Sequence, residues 1–423
     1  MGQVAQAVFN FKPFSRKQKQ VLTWWMDSSS VKDMDGIIAD GAIRSGKTVS
    51  MSLSFVIWAM ERFDQQNFAM CGKTVGSFRR NVLLGLKLML RSRGYDAVEK
   101  RADKLLEVSR NGKKNLFYIF GGKDERSQDL IQGITLAGVF FDEVALMPRS
   151  FVEQATGRCS VEGSRFWFNC NPDTPKHWFK AEWIDKAADK NIVYLSFSMD
   201  DNLSLSEKVK ARYRNMYSGV FYDRYVLGQW VVAEGLVYAA QAQGTGIVPC
   251  DPKRKYTRYH VSVDYGTANP FSMGLWGLSD GVWYRVREYY YDSRKKGRQL
   301  TDAEYYDALL EFVGNLPIDS LVVDPSALSF ITLIRRKGRI RVLTADNDVL
   351  PGIRRTATAF SEGRLKVQDC CKDTIAEFSA YRWDEKANVD RPVKEHDHAM
   401  DDIRYFVNTI LAKDWPSVVA IGR

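Results

Sequence analysis

"GAIRSGKT", residues 41–48, is the stretch on which the fold reading turns. An apolar run, "GIIAD", leads into it, and "KTVSMSLSFVIWAMERF", apolar at helical spacing, follows it. Strand, glycine-bearing loop and helix in that order form a phosphate cradle. Glycines let the backbone fold tightly, so that N–H groups at a helix N-terminus surround an anion. In this pattern Gly41, Ser45 and Gly46 form the cradle. Lys47 is placed to reach β- and γ-phosphates, and Thr48 to ligate Mg²⁺.

A phosphate loop needs an acid at the end of a neighbouring strand. "LAGVFFDE" supplies one: an apolar run ending in Asp142 and Glu143. Asp142 is expected to hold Mg²⁺ through water, and Glu143 to polarise an attacking water, which predicts ATP hydrolysis rather than nucleotide storage. An Asp-Glu pair after a strand also suits a helix cap; the loop upstream decides between the two. "RFWFNCNPDTP" ends a further strand in Asn169, Cys170, Asn171 and Pro172. By composition it reads as a turn, and by position as a sensor of the γ-phosphate. Arg44 and Arg158 are candidates to stabilise transition-state charge, with surface salt bridging the plainer role for Arg158.

The chain has 423 residues, beyond the size of one ordinary core, which predicts two domains. Apolar runs ("GIIAD", "FAMCG", "LFYIFGG", "GVFFDE", "RFWFNCNP") alternate with amphipathic stretches in the first half, as in a parallel α/β domain. The pattern loosens through "AAQAQGTGIVPCDPKRK" and resumes at "RYHVSVDYG". The boundaries that follow are 1–232, a linker at 233–256, and 257–423. The net charge of +10 favours a polyanionic partner, nucleic acid foremost, although solubility alone accounts for such a surplus equally simply. No apolar stretch is long enough to span a bilayer and the N-terminus lacks a signal core, so a cytoplasmic protein without membrane contact is expected. Six cysteines without a CxxC pair predict reduced, mostly buried thiols.

The second half carries acids at chain positions suited to a metal site. "HVSVDYG" ends a strand in Asp264, "SLVVDPS" ends another in Asp324, and "KEHDHAMDDIRYF" (394–406) opens a helix with Asp401 and Asp402. An acid leaving a buried strand is costly without a partner, and carboxylates converging on Mg²⁺ or Mn²⁺ are what phosphodiester cleavage requires. Ala399, Ile403, Phe406 and Ile410 form the core stripe of the helix. His398 shares a face with Asp401. Glu288 points to the same strand face as Tyr284, Val286 and Tyr290, as an accessory ligand would. A charged helix start stabilised by the helix dipole is the plainer account of the acids near residue 400.

These motifs together resemble the large terminase subunit of tailed bacteriophages, in the branch of PBSX-type prophage terminases. The resemblance spans nearly the whole chain. "SRKQKQVLTWW" is similar to the adenine-contacting segment, with Gln18 as its glutamine. "DGAIRSGKTVSMSLSF" is similar to the phosphate loop with its arginine, Arg44. "GVFFDEVALMP" is similar to the Asp-Glu strand, and "NCNPDTPKHWF" to the coupling motif, which makes Asn171 a γ-phosphate sensor. "VDYG", "VVDPSA" and "HDHAMDDIRY" are similar to the nuclease motifs. The resemblance thus implies an α/β chain: a P-loop ATPase domain with a parallel sheet, then an RNase H-like nuclease domain. It implies ATP with Mg²⁺ in the first and Mg²⁺ or Mn²⁺ in the second, on Asp264, Asp324, Asp401 and His398. Where the family has alanine after the third acid, this chain has Asp402. The implied function is packaging of double-stranded DNA into a procapsid in the host cytoplasm, with cutting of concatemers. The implied partners are a small terminase subunit, the portal and further copies of the chain when docked there; a monomer in solution is compatible. "RKKGR" (294–298) and "RRKGRIR" (335–341) suit either DNA phosphates or solvated loops. Two other functions fit the motifs: a helicase or repair translocase with a fused nuclease, and an ATP switch whose second half grips DNA or portal without cutting.

Overall fold

The computed structural model describes residues 11–217, 219–267, 269–387 and 389–413. The chain divides into two compact units, one of 1–213 with 222–232 and one of 214–221 with 233–423.

The first unit is built on strands β1 (Gly36–Gly41), β2 (Asn67–Gly72), β3 (Asp96–Lys100), β4 (Leu105–Arg110), β5 (Lys113–Gly121), β6 (Gly138–Asp142), β7 (Arg165–Asn169) and β8 (Ile192–Phe197). They lie in the order β3-β4-β5-β2-β6-β7-β1-β8. From β5 to β8 every pairing is parallel, while β3 and β4 add an antiparallel edge. A parallel sheet is covered on both faces, which is why its strands are unbroken apolar runs. Ile37 and Ala39 of β1 enter one buried cluster and Ile38 the other. Phe140 of β6 likewise separates from Val139 and Phe141. The helix Lys47–Arg62 buries Met51, Phe55 and Trp58 in the first of these clusters.

The second unit contains β9 (Ile247–Val248), β10 (Arg258–Asp264), β11 (Phe271–Ser279), β12 (Val282–Tyr291), β13 (Ile318–Val323), β14 (Val342–Thr344) and β15 (Leu365–Gln368). Their order is β14-β13-β10-β11-β12-β15-β9. β10, β11 and β12 form an antiparallel meander, and β13 and β14 add parallel strands beside β10. This is the RNase H-like arrangement: three meandering strands extended from the first by two parallel ones. The stretch 239–248, loose in sequence, contributes a short helix (Ala239–Ala242) and β9, which pairs with β15. One sheet face packs on Tyr305, Leu309 and Phe330. The other receives the helix His398–Phe406, whose Phe406 stacks on Trp276 with ring centroids 4.2 Å apart. Ala399, Ile403, Phe406 and Ile410 are all buried.

Only three of the six cysteines, Cys71, Cys170 and Cys371, are buried. Cys250 and Cys370 are exposed, because both lie past the ends of edge-side strands. The expectation of mostly buried thiols is corrected accordingly. Among the described residues no helix is long and apolar enough to cross a membrane.

Candidate functional site

Parallel strands deliver their C-terminal residues to one edge, and in the first unit that edge collects the chemistry. Asp142 ends β6 and pairs in register with Asn169 at the end of β7, which in turn pairs with Ala39 of β1. Asn169 Nδ2 donates to Asp142 Oδ1 (2.6 Å) and to Thr48 Oγ1 (2.8 Å), and Thr48 Oγ1 donates to Asp142 Oδ1 (3.0 Å). Burial, and then the neighbouring Glu143 charge, push the Asp142 carboxyl up to about 7. Lys47 Nζ donates to Gly41 O (3.0 Å), Ala42 O (2.7 Å), Ser45 Oγ (3.1 Å) and Asn171 Oδ1 (3.2 Å). Its ammonium is held down to about 8 by burial. The Asn-Pro turn is therefore tied to the phosphate-loop lysine.

Two residues of this edge hold left-handed backbone without being glycine: Arg44 (φ 58°) and Glu143 (φ 59°). Such conformations cost about 1 kcal/mol or more and concentrate at functional sites. Arg44 is exposed; its carbonyl accepts from Asn202 Nδ2 (2.7 Å) and its guanidinium lies 5.7 Å from the Tyr213 ring centroid. Arg158 instead closes the helix Arg149–Gly157, its carbonyl accepting from Leu136 N–H (2.9 Å). Gln18 is buried against the loop. Its Oε1 accepts from Ser15 N–H (3.0 Å), and a Cβ at Gly46 would clash with its Nε2.

Several contributors at this edge escaped the sequence reading. Trp230 Nε1 donates to Asp40 Oδ2 (2.7 Å), directly before the loop. Ile43 N–H donates to Tyr225 O (2.9 Å), and a Cβ on Gly228 (φ +73°) would meet Ala42 N at 2.7 Å. Residues 222–232 thus lie against the phosphate loop. A contact across 190 residues, as between Asp40 and Trp230, leaves no local sequence signal.

In the second unit Val263 of β10 pairs with Val323 of β13, so the next residues, Asp264 and Asp324, stand side by side at the ends of the two strands. Asp264 Oδ2 faces His398 Nδ1 (2.9 Å). Asp324 Oδ1 accepts from Ser326 N–H (2.6 Å). Tyr405 O–H, one helical turn beyond Asp401, donates to Asp324 Oδ2 (2.5 Å) and lies 3.4 Å from Asp264 Oδ1. Asp401 Oδ1 accepts from Arg404 Nη2 (2.8 Å). Burial raises the Asp264 carboxyl to about 7 against the opposing His398 bond, with the Asp401 charge adding to the rise. Burial also works to raise Asp324, but hydrogen bonds from Ser326 and Tyr405 hold it below the usual carboxylate range. Tyr405 escaped the sequence reading, although its i+4 spacing from Asp401 marked it as a facing residue.

The helix-start reading of the opening acids receives a specific answer. The free N–H groups of Ala399 and Met400 donate to Glu377 Oε2 (2.7 and 3.3 Å), so Glu377 caps this helix and Asp401 does not. Asp402 is fully buried in a different task. Both its oxygens meet the Arg285 guanidinium, and Ser262 Oγ (3.0 Å) and Ser272 Oγ complete the set. A Cβ at Gly274 would clash with Arg285 Nη1; the glycine makes room for the pair. The accessory-ligand reading of Glu288 is corrected. Its oxygens accept from Asp373 N–H (2.7 Å), Thr374 N–H (3.0 Å) and Thr374 Oγ1 (2.6 Å), capping the helix Lys372–Phe378.

Hard carboxylate oxygens from three segments suit a divalent cation by donor chemistry. In the arrangement described, those oxygens are shared among Tyr405, His398, Ser326 and Arg404. Among the described residues no three His, Cys, Asp or Glu side chains are gathered to hold one ion.

Comparison with known proteins follows the same division. A family model described as the N-terminal part of the T4likevirus-type terminase large subunit matches residues 38–243. The crystal structure of the large terminase from a thermophilic bacteriophage is 58% identical, covers 95% of this chain and 100% of its own, and superposes with a TM-score of 0.89. The same phage protein in complex with ADP is 58% identical, covering 94% and 100%, with a TM-score of 0.85. Its complex with ATP-γ-S is 57% identical, covering 94% and 100%, with a TM-score of 0.84. No curated protein matches the sequence. On identity and coverage along almost its entire length, this chain belongs to the large terminase subunits.

Proposed function

We propose that the chain is the motor and nuclease subunit of a phage DNA-packaging machine. ATP hydrolysis in residues 1–232 drives double-stranded DNA into a procapsid, and a metal-dependent endonuclease in residues 257–423 cuts concatemeric DNA, with 233–256 as linker. The observation that carries the reading is the hydrogen-bonded set Thr48–Asp142–Asn169 beside Lys47, built at the edge of a parallel sheet. A relative of similar sequence forms complexes with ADP and ATP-γ-S, which supports nucleotide binding here.

In this reading Gly41, Ser45 and Gly46 shape the cradle, and Lys47 exchanges loop carbonyls for β- and γ-phosphate oxygens. Glu143, beside Asp142 on a strained backbone, orients the attacking water and accepts its proton. Asn171 loses or keeps its bond to Lys47 according to whether the γ-phosphate is present, and so reports hydrolysis. Arg44 supplies charge to the transition state, and Gln18 meets the adenine. Thr48 and Asp142 would hold Mg²⁺, which neutralises phosphate charge. In the second unit Asp264, Asp324, Asp401 and His398 would hold Mg²⁺ or Mn²⁺, which neutralises charge at the scissile phosphate. His398 faces Asp264 Oδ2 through Nδ1 (2.9 Å), and its Nε2 lies 3.8 Å from Asp397 Oδ1. The partners in this reading are the portal, a small terminase subunit and further copies of the chain, in the host cytoplasm.

The test is supercoiled plasmid incubated with Mn²⁺, with Mg²⁺ or with EDTA. Nicked and linear DNA with metal, absent with EDTA and in Asp264→Ala and Asp401→Ala, is the expected result. Folded protein that binds DNA equally with and without metal and never cuts makes the second unit a clamp instead.

A further inference from the structure

The two acids at the ends of β10 and β13 each give one oxygen to a separate partner and the other to a shared one. Asp264 commits Oδ2 to His398, and Asp324 commits Oδ1 to Ser326 N–H. The remaining oxygens, Asp264 Oδ1 and Asp324 Oδ2, both lie within 3.4 Å of the same atom, Tyr405 Oη. Tyr405 is buried and sits on the helix that carries Asp401 and His398, so its phenol is held there by the same element that completes the acid set. These two oxygens are the pair that a cation shared by both acids must take.

We propose that the Tyr405 hydroxyl is a placeholder for that cation: it holds the two carboxylates together and must be displaced before a divalent ion binds. The inference rests on the metal-site reading above. A neutral phenol is not among the usual ligands of hard divalent ions, which prefer carboxylates, carbonyls and water. Its single proton goes to Asp324 Oδ2, the nearer oxygen, and so occupies a lone pair that a cation needs, while its oxygen sits against Asp264 Oδ1. A hydrogen bond to a carboxylate also lowers that oxygen's readiness to bind a competitor, because the bond must be broken first. Removing the hydroxyl leaves two negative groups facing each other with no donor between them. The site then gains cation affinity and loses the neutral bridge that stabilises it without metal. Tyr405 is therefore a regulator of metal loading, acting against the ion rather than as one of its ligands.

The experiment is calorimetric titration of Mn²⁺ into the full chain, as wild type, Tyr405→Phe and Asp264→Ala. The expected result is a site absent in Asp264→Ala and tighter in Tyr405→Phe by about tenfold, the equivalent of one carboxylate hydrogen bond. A wild-type isotherm identical to that of Asp264→Ala overturns the metal-site reading itself. A site present in wild type but equal or weaker in Tyr405→Phe overturns the placeholder alone. A second measurement covers failure of the Phe variant to fold. With 3-fluorotyrosine at position 405, the ¹⁹F resonance is expected to shift saturably with Mg²⁺ as the phenol leaves the acids; an unmoved resonance at saturating Mg²⁺ contradicts the displacement.

Discussion

The two acidic sites differ in how they are assembled. In the first unit Asp142 is met by neutral donors, Thr48 and Asn169, from the first turn of the helix Lys47–Arg62 and an adjacent strand. Strand register places Asp142 beside Asn169, and the helix that follows β1 brings Thr48 to them. In the second unit each acid has a partner of its own, His398 for Asp264, Ser326 for Asp324 and Arg404 for Asp401, and the first two acids share Tyr405. Register brings Asp264 and Asp324 together, but Asp401 joins them only through the docking of one helix, held at its start by Glu377 and in its middle by the Asp402–Arg285 pair. A site made by register survives local change outside its strands. A site made by docking depends on the clamp.

The sharpest way to break this contrast is to cut the clamp. Asp402→Ala leaves Arg285 charged and fully buried, which costs about 3–5 kcal/mol. The second unit is expected to lose its thermal transition and its metal-dependent cleavage while nucleotide binding persists, read by calorimetry and nucleotide titration on one preparation. Replacing both partners, Asp402→Leu with Arg285→Met, is expected to recover much of the lost stability, since an apolar pair needs no mutual compensation. Next in size is Lys47→Ala. It is expected to lower ATP turnover by a factor on the order of 10²–10³ with the melting of the second unit unchanged.

The pH dependence of nucleotide binding is smaller. Burial holds the Lys47 ammonium down to about 8, so the site is charged below that pH and loses its proton as pH rises through it. A bound triphosphate favours the charged form. Nucleotide affinity is thus expected to fall above about pH 8 by up to tenfold per unit, and Lys47→Arg, which keeps its charge, to flatten the profile. Fluorescent-nucleotide titration across this range checks it. The smallest effect expected is that of Gln18→Ala. It removes the side-chain bond to Ser15 N–H, worth about 0.5–1.5 kcal/mol, and weakens nucleotide binding only several-fold.

The same contrast explains what the sequence disclosed. Residues 41–48 and the run ending in Asp142 and Glu143 were legible because glycine spacing and strand ends are local facts. Asp264 and Asp324 were legible as strand-end acids, and their register then brings them side by side. The helix stripe of Ala399, Ile403, Phe406 and Ile410 followed from periodicity alone. Glu377, Arg285 and Trp230 were not legible, because each acts across a long chain separation with no spacing rule to betray it. Glu288 was misread for a related reason. Strand alternation gives the face a side chain points to, but not the helix N-terminus waiting there. Helical geometry alone did not choose between Asp401 and Asp402, which the resemblance separated; in the structure Gly274 and Arg285 lie against Asp402.

One chain thus carries two acidic sites, each built by its own means, and the two proposed chemistries are expected to fail separately. The most direct measurement is ATP turnover and Mn²⁺-dependent plasmid cleavage, run side by side on wild type, Lys47→Ala and Asp264→Ala. Lys47→Ala is expected to lose turnover and still cut, and Asp264→Ala to lose cutting and still turn over ATP. Loss of both activities in either variant, with both proteins folded, would contradict the independence of the two sites.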